Sequence, residues 1–319
     1  MQSDFNLLFY SNDDMVLFTQ NKVASRMCDF YFQKIGTFSL TYGLSQPLKD
    51  IPFRYEINSF YAGGQNNNSS KPESVDYAIK SFQDLVSNNS EKDIYFLYRE
   101  PNLRLISGLY QEFSSFTADR LFLDIWLNKF NDDDANEILN YFSIHGTSAT
   151  NFDEVTIHRL EKLQTESLHN NLKIMVSDWL KAIARASAYN LIHIRNYINF
   201  YIHFMMAYNI DSSRVNLVDI DKIDVENIFS KYESKESIRK RIPFKRDDEG
   251  NIIKTAFSDI FLKNIFREIV FDEGYWSTQK INFYQTISDY IREETWAYHT
   301  LKLISAKKEN DNIDILKII

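Results

Sequence analysis

Apolar and polar positions along the chain fall into two kinds of segment: short unbroken apolar runs, and longer stretches with helical spacing. Met15–Gln20 (MVLFTQ) reads as a short apolar strand, and Ile94–Tyr98 (IYFLY) is an unbroken run, the pattern of a strand buried on both faces of a sheet. Phe53–Ser59 (FRYEINS) and Arg214–Asp221 (RVNLVDID) add two candidate strands. After the first run, Asn21–Ser25 reads as a turn. Ser25 is placed to cap a helix whose Met27, Phe30, Tyr31 and Ile35 share one stripe, with Gly36 at its end. Tyr61–Lys71 (YAGGQNNNSSK) is a polar loop, and Pro72 opens a helix with Val75, Ala78, Phe82 and Leu85 on its buried side. Beyond Tyr98, Arg99 and Glu100 make a polar exit. Pro101 then suits a first helical position, where its fixed φ helps and its missing N–H is not needed. The helix that follows carries Leu103, Ile106, Tyr110 and Phe113 on one stripe, and Arg104 and Ser107 on another face.

The region 120–209 predicts helices and no strand. Asn131–Asp134 reads as an acidic turn capping a helix through Phe142, and Phe152–Gln164, Leu172–Ala188 and Asn196–Tyr208 carry apolar residues at helical spacing. After the strand at Arg214–Asp221, Asp224 is placed to cap a helix through Tyr232. From Ala256 onward the pattern is helical again, with Trp276 and Trp296 at expected packing positions. Strands joined by helical crossovers predict an α/β fold: a parallel sheet flanked by helices, in one domain. Its core would take in 10–119 and 210–235, with a helical insertion over 120–209 and a helical C-terminal part over 256–319.

Composition narrows the function classes. The 319 residues carry a net charge of −8, which argues against broad nucleic-acid binding, since that needs a basic surface. One cysteine, Cys28, excludes an intramolecular disulfide and fits a reducing compartment. No apolar run approaches the ~20 residues of a membrane span, and Asp4, Asn6, Asp13 and Asp14 interrupt Met1–Leu17, which lacks the basic start and apolar core of a signal peptide. A soluble cytoplasmic protein without a membrane span is the expectation. The Asp132–Asp134 triplet lacks the spacing of a Ca²⁺ loop, and the histidines at 145, 158, 169, 203 and 299 have no metal-ligand spacing, so no metal is expected.

The chemistry gathers at two strand-to-helix junctions. Ligands of open α/β sheets bind beyond the carboxyl ends of the strands. A helix N-terminus attracts phosphate, and a guanidinium grips it through two parallel hydrogen bonds. Lys22 sits in the first junction, and Arg99, Arg104 and Ser107 surround the second. The second junction, Arg99, Glu100, Pro101, Arg104, Ser107, Gly108 and Tyr110, resembles the second phosphate-binding motif of sulfotransferases that use 3′-phosphoadenosine 5′-phosphosulfate (PAPS). Leu109 displaces the tyrosine by one place. The first junction, Asn21–Lys22–Val23–Ala24–Ser25–Arg26, is similar to that family's first motif, with Asn21 at the proline place, Ala24 at the glycine place and Arg26 at that of the second threonine.

The resemblance implies a P-loop-like sulfotransferase fold with PAPS as co-substrate and no metal. By the resemblance, Arg99 and Ser107, with Arg104 beside them, would hold the 3′-phosphate. Lys22 would contact the 5′-phosphosulfate, and the backbone of Ala24, Ser25, Arg26 and Met27 would cradle it. The acceptor's proton needs a base: Glu56, on the strand after the first helix, is the first candidate, and His193 the second. The acceptor would be a small molecule or glycan offering a hydroxyl or amine. The basic stretch Ser237–Arg246 (SIRKRIPFKR) is either a solvated loop or a second clamp on the 3′-phosphate. Two alternatives stand beside this reading. One is a catalytically degenerate binding protein of the same fold. The other is a P-loop-like nucleotide kinase, against which the missing Walker glycines count.

Overall fold

The computed structural model describes residues 4–20, 23–32, 38–43, 54–56, 72–117, 120–145, 158–159, 162–185, 198–211, 214–242 and 256–308. The chain divides into two compact units, one of Met1–Arg104, Arg195–Ile242 and Asp289–Ile319, the other of Leu105–Ile194 and Pro243–Ser288.

The first unit holds one six-stranded sheet in the order β4-β3-β1-β2-β5-β6. Its strands are β1 (Asp4–Ser11), β2 (Met15–Thr19), β3 (Phe38–Gly43), β4 (Arg54–Glu56), β5 (Asp93–Tyr98) and β6 (Val215–Asp219). β2, β5 and β6 pair in parallel, whereas β1, β3 and β4 continue the sheet antiparallel. The expectation of a parallel sheet is therefore corrected: the sheet is mixed. The cause lies in two strands that the pattern of the chain did not predict. β1 turns back into β2 through a tight turn in which the Asn12 side chain accepts from Asp14 N and Met15 N. β3 then pairs on the outer side of β1. A connection of three residues, Asn12–Asp14, can only join antiparallel neighbours.

The described residues of the two units also form helices. They are α1 (Ser25–Tyr31), α2 (Pro72–Val86), α3 (Pro101–Thr117), α4 (Arg120–Leu127), α5 (Asp132–His145), α6 (Glu166–Arg185), α7 (Ile198–Ala207), α8 (Val225–Phe229), α9 (Lys235–Arg241), α10 (Ala256–Val270), α11 (Glu273–Gln279) and α12 (Phe283–Lys308). On one face Phe9, Val16, Phe18, Ile94, Phe96, Tyr98 and Val215 pack with Phe82 and Leu85 of α2, with Ile198, Tyr201, Phe204 and Met205 of α7, and with Ala297, Tyr298 and Leu301 of α12. The alternate positions point the other way: Tyr10 meets Asp29 and Phe32 by α1, and Tyr95 meets Tyr232 beyond α8. Tyr31 of α1 stacks on Phe229 of α8 at 3.8 Å. α7 falls in the stretch expected as an insertion, and α12 in the expected C-terminal part, yet both build the sheet's core.

The described part of the second unit is helical. Its core is Phe113, ringed by Trp126, Phe142, Trp179 and Phe266. Trp276 is buried there and donates its indole N–H to Ile269 O at 2.8 Å. Trp296, expected to pack, is instead 53% exposed on α12. The helix turns its buried side through Ile287, Tyr290, Glu294, Ala297 and Leu301, so a glutamate holds the place an apolar residue would hold.

Glu294 is fully buried and accepts the Ile198 N–H that opens α7, at 3.1 Å. Arg104, 1% exposed, faces it at 3.9 Å and donates to the Tyr290 hydroxyl. One carboxylate thus holds the start of α7 and the first turns of α3 against α12. Glu294→Ala leaves a buried guanidinium and a backbone N–H without this carboxylate, and is expected to lower unfolding free energy by ~3–5 kcal/mol. Replacing the pair together, Arg104→Met with Glu294→Leu, should recover most of that loss. Denaturant titration of the three proteins checks this. A single-mutant loss under ~1 kcal/mol, the range of an exposed pair, would contradict it.

Candidate functional site

At the carboxyl edge of β2, β5 and β6 the chain leaves the sheet toward both faces. The β2–β5 register runs from Met15↔Asp93 to Phe18↔Phe96. Beyond it the Tyr201 hydroxyl donates to Leu97 O at 2.6 Å and lies 3.3 Å from Phe18 O, with its ring stacked on Phe96. A side chain of α7 therefore reaches both strands where their ladder stops. From here the two strands send the chain to opposite faces. β2 leads into α1 on the Tyr10 face, and β5 leads into α3, whose Arg104 meets α12 on the Phe9 face. β6, the other parallel neighbour of β5, leads to α8, which stacks on α1. Neighbouring parallel strands that exit to opposite faces leave a gap between their loops, where ligands of open α/β sheets bind.

On the β2 side, Thr19 and Gln20 are buried. The Thr19 hydroxyl donates to Val23 O, and Val23 N donates to Gln20 O at 3.0 Å. Ala24 caps α1 in the left-handed region, at φ 55°, and its carbonyl accepts from Met27 N and Cys28 N. Ser25 is the first residue of α1 and not its cap, because the chain turns one residue earlier than the sequence suggested. An alanine held left-handed is strained by ~1–2 kcal/mol, and glycine is the residue that adopts this backbone freely. Ala24 stands at the place where the resembling motif commonly has glycine. Ser25, Arg26 and Met27 form the first turn of α1, with Met27 half-buried. Lys22 lies outside the described residues, between Gln20 and Val23.

On the β5 side, Glu100 closes the start of α3: its side chain accepts from Asn102 N and Leu103 N. Arg99 Nε donates to Asp221 Oδ1 at 3.0 Å, and Asp221 Oδ2 accepts from Glu100 N at 3.2 Å. Both Arg99 and Asp221 are about a quarter exposed, each at 24%. Arg104 is drawn inward to Glu294 and Tyr290, so it contributes to the core and not to the strand edge. Ser107 is half-buried on α3 and counts with the second unit.

Glu56 ends β4, and its row runs Glu56↔Ser39, Ser39↔Leu8, Leu8↔Thr19. It is level with the end of β2 but three strands away, about 14 Å at the usual strand spacing. That separation weakens it as the base beside Lys22. His193 lies outside the described residues. The stretch Ser237–Arg246 is in its first part the helix α9, not a loop. Arg241 pairs with Glu233 and donates to Tyr31 O, and Arg239 and Lys240 are exposed. Residues 243–246 and the polar loop at 61–71 lie outside the described residues. Among the described residues no group of three His, Cys, Asp or Glu side chains gathers to hold a metal, and no helix is long and apolar enough to cross a membrane.

The sequence did not point to the polar layer beneath this edge of the sheet. Gln20, Tyr98, Tyr201, Asp219 and Tyr298 are all buried. Tyr298 donates to Asp219 Oδ2 at 2.8 Å. Burial pushes the Tyr98 hydroxyl's pKa up, with Asp219 adding to it. Burial and then the bond to Asp219 do the same for Tyr298, and burial raises Tyr201. The signal available in the sequence was the pair of polar residues, Gln20 and Asp219, at the ends of otherwise apolar strands.

No protein-family model, no curated protein and no solved structure matched the chain.

Two outcomes follow from this geometry. Ala24→Gly should fold at least as stably as the parent, and Ala24→Val should lose ~1–3 kcal/mol, because a β-branched residue fits the left-handed region worst. Thermal or denaturant melting reads both, and equal stability of the two variants would contradict the left-handed backbone. The raised tyrosines contribute stability that is complete below pH ~10, their unfolded pKa, and is lost as pH rises through the folded values. An alkaline absorbance titration should show these tyrosines ionising only as the protein unfolds. Ordinary ionisation of every tyrosine with the fold intact would contradict their burial.

Proposed function

We propose that the protein is a PAPS-dependent sulfotransferase that moves a sulfuryl group to a hydroxyl or amine of a small-molecule or glycan acceptor. One observation carries this reading: the two segments that resemble the family's phosphate-binding motifs leave neighbouring parallel strands at one edge of the sheet and turn to opposite faces. The left-handed backbone of Ala24, at the motif's glycine place, supports it. In this reading the 5′-phosphosulfate sits at the β2 exit and the 3′-phosphate at Arg99.

Transfer needs the acceptor oxygen or nitrogen to attack sulfur while the bond from sulfur to the 5′-phosphate oxygen breaks. The acceptor proton passes to a base, and negative charge grows on the departing phosphate. Lys22 would neutralise that charge, and backbone N–H groups at the start of α1 would share it. Glu56 and His193 are the candidate bases. Glu56→Gln and His193→Ala tell them apart, because losing the base removes the acidic limb of the pH–rate profile.

A second reading, a binding protein without transfer chemistry, draws on Arg104, a motif cation turned into the core. The kinase reading needs a metal-binding Ser or Thr directly after Lys22, where Val23 stands.

Thermal shift separates the three. With 3′-phosphoadenosine 5′-phosphate at a hundred times its dissociation constant, stabilisation of ~2.7 kcal/mol is expected, and none with ATP and Mg²⁺. Lys22→Ala should cost transfer ~2–4 kcal/mol of transition-state stabilisation. Unchanged transfer by that variant, or stabilisation by ATP alone, would overturn the proposal.

A further inference from the structure

We propose that Asp221 is a positioning residue for an anion site at Arg99, an inference that rests on the sulfotransferase reading. Asp221 takes Arg99 by its Nε edge at 3.0 Å. Among the described residues the two terminal nitrogens of that guanidinium take no partner. A carboxylate that occupies Nε leaves the outer fork intact, and the fork is the part that matches two oxygens of a phosphate.

The carboxylate is itself fixed. Its second oxygen accepts from Glu100 N at 3.2 Å, so Asp221 also sets where the chain leaves β5. Its own backbone N–H donates to Asp219 Oδ1 at 3.2 Å, and the other oxygen of Asp219 accepts from Tyr298. Lys222 N and Ile223 N both donate to Asp219 O, which closes the turn that carries Asp221. The result is a line of contacts from the buried Tyr298 through Asp219 and Asp221 to Arg99. A cation whose orientation is fixed before the ligand arrives binds with less ordering than a mobile one.

Position and charge make opposite predictions. If Asp221 only neutralised Arg99, removing the charge would strengthen anion binding. If it orients Arg99, removing the acceptor weakens binding, and an acceptor without charge suffices. Asp221→Asn retains an oxygen that can accept from Arg99 Nε; Asp221→Ala retains none.

The test is calorimetric titration of the full chain and both variants with 3′-phosphoadenosine 5′-phosphate and with adenosine 5′-phosphate, which lacks the 3′ group. Asp221→Ala should weaken the first ligand about tenfold, as loss of an orienting partner does elsewhere, and leave the second unchanged. Asp221→Asn should recover most of the loss. Equal or tighter binding of the 3′-phosphorylated ligand by Asp221→Ala overturns the positioning role. So does equal weakening of both ligands, which would mark a merely structural residue. Failure of the parent chain to bind the 3′-phosphorylated nucleotide would remove the sulfotransferase reading, and this inference with it.

Discussion

The candidate site depends on one pairing, the parallel ladder between β2 and β5. It brings the chain out of the sheet twice at the same edge, and the two exits turn to opposite faces. Lys22 and the start of α1 belong to one exit, and Arg99 to the other. The ladder is secured by burial on both sides: Phe18, Phe96 and Phe204 meet edge-on or tilted on one face, and the Leu17 and Tyr95 side chains are buried on the other. Tyr201 stands at its end and keeps the two strands in step where hydrogen bonding between them stops.

Polar groups inside the core set the positions of the surrounding helices. Glu294 receives Arg104 from α3 and the first N–H of α7, and Asp219 receives Tyr298 from α12. Apolar packing is tolerant of small shifts, whereas a buried carboxylate is stable only when its partners are in place. The same logic links the core to the surface, since Asp219 also fixes the turn bearing Asp221.

The sequence made much of this legible. β2 and β5 were visible as apolar runs and β6 as a candidate strand, Pro101 marked the start of α3, and Asp224 caps α8 by accepting from Glu226 N. β1 was missed although Leu7–Tyr10 is an unbroken apolar run, because Asp4, Asn6, Asp13 and Asp14 were weighed only against a signal peptide. β3 carries Ser39, Thr41 and Gly43 between its apolar residues and so forms no unbroken apolar run, and its partner is set by β1, not by anything local. The parallel sheet was inferred from crossovers, and the hairpin between β1 and β2 is what broke that inference. Arg104 and Trp296 were misjudged for a common reason: periodicity assigns charge to the outside and aromatic rings to the inside. Here a buried ion pair occupies the inner stripes of α3 and α12, and Trp296 is left outward. At the site, residue types were readable and their partners were not. Nothing local in the sequence relates Arg99 to Asp221, 122 positions away.

The proposed chemistry asks for two positive grips on one doubly phosphorylated nucleotide, one at each exit of the β2–β5 pair. A crystal structure of the protein grown with 3′-phosphoadenosine 5′-phosphate tests this directly. The nucleotide should lie across the carboxyl ends of β2 and β5, with its 5′-phosphate at the turn between Gln20 and Ala24 and its 3′-phosphate on the outer nitrogens of Arg99. A nucleotide bound elsewhere, or one whose phosphates both avoid Arg99, would contradict it.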